Sequence, residues 1–157
     1  MGEGIRAARL LAFATPAFLL GGAYLGQYAF GLYPCEMCWW QRYPQFVALG
    51  LAIVALLIPR PKAVLALAAL AIAVSGAIGA FHAGVEYGWW DGVTACSTTG
   101  RPAGTEALEA ILDAPVIRCD VAPWTLFGIS LAGWNFLFSS AAALALVFLL
   151  TAERKPA

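Results

Sequence analysis

Four stretches of the chain are apolar over about the length of a membrane span: residues 10–32, 39–58, 63–81 and 124–150. Crossing ~30 Å of hydrocarbon takes about 20 helical residues, so each stretch predicts a transmembrane helix. The first has Gln27 as its one strongly polar side chain and Pro16 in its opening turns, where a membrane helix tolerates proline. Arg6 and Arg9 ahead of it give it the form of a secretory signal. The run nevertheless exceeds the ~7–15 residues of a signal core and is read as an uncleaved anchor. The second stretch stops at Pro59-Arg60-Pro61-Lys62, a sharp turn into the third. The fourth is longer than a span requires, so Trp124 to Gly128 are expected at the interface.

Between the third and fourth stretches lies the one long polar connection, residues 86–122. Within it, residues 105–112 read as a short helix. Thr105 can cap it, Leu108, Ile111 and Leu112 share a face, and Pro115 stops it. Such a pattern suits a helix lying on a membrane surface. The fold class expected is an all-α membrane protein: a single domain over 1–157, a four-transmembrane-helix bundle with a short amphipathic helix in its second outer loop. The outer loops are 33–38 and 86–122.

Composition supports that class and removes others. Of the 157 residues, 62% are hydrophobic and 11% charged, and the mean hydropathy is +0.79. A soluble domain carries ~25% charge. The formal net charge of zero hides an asymmetry. With four spans, Arg6, Arg9, Arg60, Lys62, Arg154 and Lys155 fall on one side, six of nine cations, while seven of nine acids fall on the other. Cations collect in the cytoplasm, which puts both termini there and turns the outer loops outward. Tyr33, Trp39, Trp40, Tyr43, Tyr87, Trp89, Trp90 and Trp124 flank those loops as interfacial anchors. No basic patch offers itself to nucleic acid. Gly22-x-x-x-Gly26 and Gly76-x-x-x-Ala80-x-x-x-Gly84 read as close-packing helix faces, and Asn135 as an interhelical hydrogen bond.

The candidate chemistry is in four cysteines, Cys35, Cys38, Cys96 and Cys119, all on the outer side. Four cysteines allow three pairings. Local spacing favours Cys35–Cys38, which leaves Cys96 and Cys119 to close a loop with 22 residues between them. A staple there could stabilise the fold by about 3 kcal/mol. A two-residue gap removes little chain entropy, so the first pair points to redox chemistry or to metal. Zinc would want two close-spaced knuckles and the second pair is far apart, so no metal site is expected. Trp39 rather than His follows Cys38, which excludes a c-type haem. With Pro34 as the first helical residue, Cys35, Cys38 and Arg42 share one face, and helix N-terminus and guanidinium would both favour a thiolate. His82 ends the third stretch at the same interface. Oxidising a dithiol releases two electrons and two protons, and the chain has neither a nucleotide fingerprint nor an iron–sulfur spacing. A lipid-soluble quinone is the economical acceptor.

These residues resemble the disulfide bond formation protein B family, DsbB, thiol oxidases of the bacterial inner membrane. The resemblance runs over about 10–150 and rests on Pro34-Cys35-x-x-Cys38-x-x-x-Arg42, on His82, and on Arg118-Cys119-Asp120 leading to Trp124-x-Leu126-x-Gly128. The C-x-x-C pair after the first span separates it from the vitamin K epoxide reductase-like proteins. The resemblance implies a multi-pass inner-membrane protein with periplasmic cysteines that reoxidises a DsbA-like thioredoxin-fold partner. It further implies a partner-attacked Cys96–Cys119 disulfide, transfer from Cys119 to Cys35, and Cys38 facing ubiquinone, with Arg42 and His82 lining the quinone pocket. A mobile loop carrying Cys119 to Cys35 is part of that expectation. The alternative is a non-enzymatic membrane subunit whose disulfides only brace its outer loops.

Overall fold

The structure, a computed structural model, describes residues 3–94, 97–98 and 116–152. Its four described helices are α1 (Glu3–Ala29), α2 (Glu36–Leu57), α3 (Lys62–Glu86) and α4 (Leu131–Ala152). Two short antiparallel pairs supplement them, a feature the all-α expectation lacked. In one, β1 (Ser97–Thr98) pairs with β2 (Val116–Ile117); in the other, β3 (Thr125–Leu126) pairs with β4 (Ile129–Ser130). The surface helix expected over 105–112, and Cys96, lie outside the described residues.

Three helix boundaries differ from the hydropathy reading by five residues or more, because hydropathy marks where a bilayer fits, not where hydrogen bonding stops. α1 already runs from Glu3 because residues 5–9 contain neither glycine nor proline, and Gly4 falls in the first turn. α3 continues beyond Phe81 through His82 to Glu86 and ends at Tyr87, whose N–H bonds to the Ala83 carbonyl, followed by Gly88 at φ 69°. The fourth stretch breaks the other way. Residues 125–130 form a hairpin whose two turn residues, Phe127 (φ 52°) and Gly128 (φ 76°), are both left-handed, as a two-residue turn requires. Trp124 to Gly128 therefore precede the helix rather than extending it.

α1, α3 and α4 are long and apolar enough to cross a membrane. α2 is as long as α4, at 22 residues, but carries Gln41, Arg42 and Gln45 in its first three turns. The bundle is apolar on the outside: Leu10, Phe18, Leu57, Leu144 and Phe148 are each at least 66% exposed. Its core is alanine-rich, built on Ala8, Ala12, Ala48, Ala52, Ala55, Ala68 and Ala142 around Leu65, Ile72 and Leu146. Small side chains let backbones approach, which is how helices associate where lipid supplies no hydrophobic drive. At the other end from the chain termini, a second cluster joins Cys35, Met37, Val85 and Cys119.

The glycine faces divide. Gly76 packs as expected, and so does Gly79, which that face did not include: a Cβ on Gly79 would stand 2.9 Å from the Ala132 carbonyl oxygen and 3.1 Å from the Phe136 nitrogen. Both are backbone atoms and cannot turn aside. Gly22, expected to pack, has nothing within 4 Å of a built Cβ and instead helps line a cavity. Gly79→Val is accordingly expected to destabilise the bundle by about 1–3 kcal/mol, read as a lower unfolding temperature in detergent. Gly22→Ala should leave that temperature unchanged; equal behaviour of the two variants would contradict this packing.

Candidate functional site

Cys35 is the N-cap of α2, so Pro34 stands one residue before the cap and not at the first helical position. The cap is made by sulfur: the Cys38 N–H donates to Cys35 Sγ at 3.3 Å. This turn draws the two sulfurs to 2.9 Å. The α3 extension brings His82 alongside, with Nε2 3.6 Å from Cys35 Sγ. The chain ahead of the hairpin then lays Cys119 over both. Its sulfur, that of Cys35 and a ring nitrogen of His82 all lie within 4.8 Å of one another, and all three residues are buried. Cys119 is thus already beside Cys35, where a loop movement had been expected to bring it.

The orientation of His82 follows from groups that have no choice. Gln41 Nε2 donates to the Met37 carbonyl at 3.2 Å, which fixes the amide, and the same nitrogen lies 2.8 Å from His82 Nδ1. Nδ1 is therefore an acceptor. On the opposite side Nε2 faces the Cys119 carbonyl oxygen at 3.2 Å and must be a donor. Glu86, one turn on, places Oε1 3.7 Å from the same nitrogen. By residue type Cys35, His82 and Cys119 form a metal-ligand triad, but in this tautomer Nε2 carries the proton and the Nδ1 lone pair is taken up by Gln41.

A cavity of about 440 Å³ opens on the other side of Cys38. Gly22 and Gly26 of α1, Cys38, Gln41, Arg42 and Gln45 of α2, Trp124 and Leu126 near the hairpin, and Asn135 and Phe138 of α4 contribute to its lining. Arg42 is 7% exposed. Its guanidinium donates to Gln27 Oε1 at 2.7 Å and to the Ala23 carbonyl at 3.3 Å, and lies 5.0 Å from the ring centroids of both Tyr24 and Trp39. Its hydrogen bonds thus go to α1 rather than to the sulfurs. His82 does not line the cavity; Gln41 stands between them.

Beneath the cavity a buried amide network ties the bundle together. Asn135 Nδ2 donates to Gln41 Oε1 (2.8 Å) and to the Ser75 carbonyl (3.1 Å), the interhelical role expected of it. Its Oδ1 accepts from Ser139 Oγ at 3.0 Å, and Gln45 Nε2 donates to Ser139 Oγ at 2.9 Å. Gln45 Oε1 is then a buried acceptor without a partner. An open, largely apolar cavity of this size, bordered by a guanidinium with more donors than its two partners use, suits a planar dioxygenated ring. The unsatisfied Gln45 acceptor suits the hydroxyl of its reduced form. A quinone fits these residues.

The family described as "Disulfide bond formation protein DsbB" matches residues 5–149. The chain belongs to the DsbB family. It is also similar to the uncharacterized protein RP370 of Rickettsia prowazekii (strain Madrid E), 27% identical over 125 residues, covering 76% of this chain and 73% of that one. No solved structure matches. Family membership makes this a helical membrane protein of disulfide bond formation.

Two thiols outside the spans have altered acidities. The hydrogen bond with Cys38, then burial, pushes the Cys35 thiol up to about 12, against a smaller opposing effect of His82. Burial pushes the Cys119 thiol up as well. Asp120, hydrogen-bonded by Arg118 Nε at 2.9 Å, is held below the ordinary carboxylate range. A raised thiol pKa means scarce thiolate at neutral pH. In the fully reduced protein, alkylation of Cys35 is therefore expected to be slow at pH 7 and to climb toward pH 12. Cys38→Ala, which removes the largest cause, should move that climb to lower pH. Peptide mass spectrometry after timed iodoacetamide quenching measures both, and an unshifted profile in the variant would refute the assignment.

Gln41, Gln45 and Glu86 were not picked out by spacing or motif. The signal was present for the first two: they recur at i, i+4 on an otherwise apolar helix, on the face that carries Cys38 and Arg42.

Proposed function

We propose that the protein is a thiol:quinone oxidoreductase of the bacterial inner membrane. In this reading it reoxidises a DsbA-like thioredoxin-fold protein of the periplasm and passes the electrons through two cysteine pairs to ubiquinone. All four helices span, α2 included, since its polar residues face inward onto the network and the cavity. Both termini are cytoplasmic, and the Cys35 end of the bundle is periplasmic. The observation that carries the proposal is the position of Cys38. It is 2.9 Å from Cys35 on one side and part of the cavity wall on the other, the place for the last sulfur of a relay.

In the relay, a partner thiolate attacks Cys96 of a Cys96–Cys119 disulfide, and Cys119 leaves. The antiparallel pairing of Ser97–Thr98 with Val116–Ile117 supports this pairing, because it lays the segments next to those two cysteines side by side. The second partner thiolate then releases Cys96 and leaves the partner oxidised. Cys119 attacks Cys35, the Cys35–Cys38 bond breaks, and its electron pair leaves on Cys38 at the cavity wall. Cys96 next attacks Cys119, re-forming their bond and releasing Cys35. Each step is thiolate attack on a disulfide sulfur. Bound ubiquinone supplies the oxidising power, taking up two electrons and two protons as Cys35–Cys38 re-forms. Arg42 holds a positive charge beside the acceptor, and the apolar walls exclude water from the Cys38 sulfur.

The direct test offers purified protein in detergent a reduced thioredoxin-fold dithiol protein and a water-soluble ubiquinone analogue, and follows quinone absorbance. Catalytic loss of the oxidised-quinone band is expected. A quinone that stays oxidised across several such partners, and with naphthoquinone analogues too, would leave the bracing-subunit alternative standing.

A further inference from the structure

We infer that Gln41 is a positioning residue for the thiol relay: it fixes His82 in the tautomer that presents an N–H donor, not a base, to Cys35. The inference rests on the proposed function for its consequence, but not for its geometry. Two acceptors that cannot be donors decide it from opposite ends. The Met37 carbonyl obliges Gln41 to turn Nε2 toward His82 Nδ1, and the Cys119 carbonyl obliges His82 to carry its proton on Nε2. The Gln41 amide is held a second time from the far side, since its Oε1 accepts from Asn135 Nδ2, itself pinned by the Ser75 carbonyl. A chain of fixed amides thus runs from α4 through α2 to the imidazole.

The groups facing Nε2 are Cys35 Sγ at 3.6 Å, Glu86 Oε1 at 3.7 Å and the Cys119 carbonyl at 3.2 Å. The carbonyl always accepts, the sulfur and the carboxylate do so when ionised, and one N–H serves them. In the exchange that re-forms Cys96–Cys119, the bond between Cys119 and Cys35 breaks and its electron pair leaves on the Cys35 sulfur. The Nε2–H is placed to receive that charge by hydrogen bonding, and no proton changes owner. A histidine acting as base would need a bare Nε2, which Gln41 forbids.

The chain has a single histidine, so 15N-histidine labelling of the full-length protein in detergent reports on His82 alone. The wild-type spectrum is expected to show a protonated Nε2 and a bare, hydrogen-bonded Nδ1. Gln41→Glu keeps the acceptor for Asn135 but turns a carboxylate to Nδ1, and is expected to add a proton at Nδ1 and give an imidazolium, since the Cys119 carbonyl still takes the Nε2 proton. The second arm omits quinone and times one turnover of thiol–disulfide exchange, two electrons, from a stoichiometric reduced dithiol protein to the Cys35–Cys38 pair. Gln41→Leu should slow it roughly tenfold, the scale of one hydrogen bond to a charged group. In a His82→Ala background it should add nothing further, since the two act as a unit.

A wild-type spectrum with Nδ1 protonated overturns the inference without any variant being made. So does an equal slowing by Gln41→Leu with and without His82. Failure of the quinone reading looks different: the tautomer and the exchange kinetics stand as expected while quinone remains oxidised.

Discussion

Cys38→Ser should abolish quinone reduction, by at least roughly a thousandfold, while leaving the early thiol exchange intact. Removing the group that performs a covalent step commonly has effects of that order or more. Serine preserves the size and the polar contact of the side chain but supplies no thiolate. The other half of the relay survives, because Cys119 and Cys35 stand within 4.8 Å in the same buried cluster. With no Cys38 to pair with, the Cys35 thiolate is free to attack Cys119 of the Cys96–Cys119 disulfide and release Cys96 as a thiol, so a Cys35–Cys119 disulfide should accumulate. Non-reducing peptide mapping detects it, and quinone absorbance measures the lost turnover. Quinone reduction at the wild-type rate would remove Cys38 from the end of the relay and the adjoining cavity from consideration as the acceptor's site. Loss of quinone reduction with no trapped disulfide would instead mean that Cys119 does not deliver electrons to Cys35.

The features that could be read in the sequence are those set by composition and local spacing. Long apolar runs, the Pro59–Lys62 turn and the C-x-x-C pair each depend on residues within a few positions of one another, and the bundle follows from them. What escaped depends on contacts across the chain. Arg42 shares a face with both cysteines in sequence, yet its hydrogen bonds run to Gln27 and Ala23 of α1, and no helical register reveals which neighbour a side chain finds. His82 lies at the level expected, but on the thiol side of Gln41 rather than in the cavity. Gly22 and Gly76 have the same small-residue spacing, and only the placement of α4 decides that one packs and the other opens onto space. The hairpin at Thr125–Ser130 was hidden for another reason. Phe127 occupies a left-handed turn position normally given to asparagine or glycine, and Trp-x-Leu-Phe-Gly reads as more apolar span.

Arg42 offers the second large effect, and one that separates binding from exchange. Its guanidinium is nearly buried, lies 5.0 Å from two aromatic centroids, and is hydrogen-bonded to α1 through Gln27 and the Ala23 carbonyl. Such a group is held in one orientation before any ligand arrives, so little ordering is required on binding. Arg42→Leu removes the charge and the donors facing the cavity, and should raise the quinone KM about 10- to 100-fold, the worth of one or two charge-assisted hydrogen bonds. Arg42→Lys keeps the charge, but an ammonium neither stacks between Tyr24 and Trp39 nor reaches two acceptors in one plane. It should therefore recover only part of that loss. The single-turnover transfer from a reduced dithiol protein to Cys35 should be unchanged in both variants, because Arg42 touches neither Cys35 nor Cys119. A quinone KM that does not move in Arg42→Leu would place the acceptor elsewhere. Equal losses in KM and in thiol exchange would make Arg42 a strut between α1 and α2, since a ligand contact at the cavity cannot slow a step that takes place on the other side of Cys38.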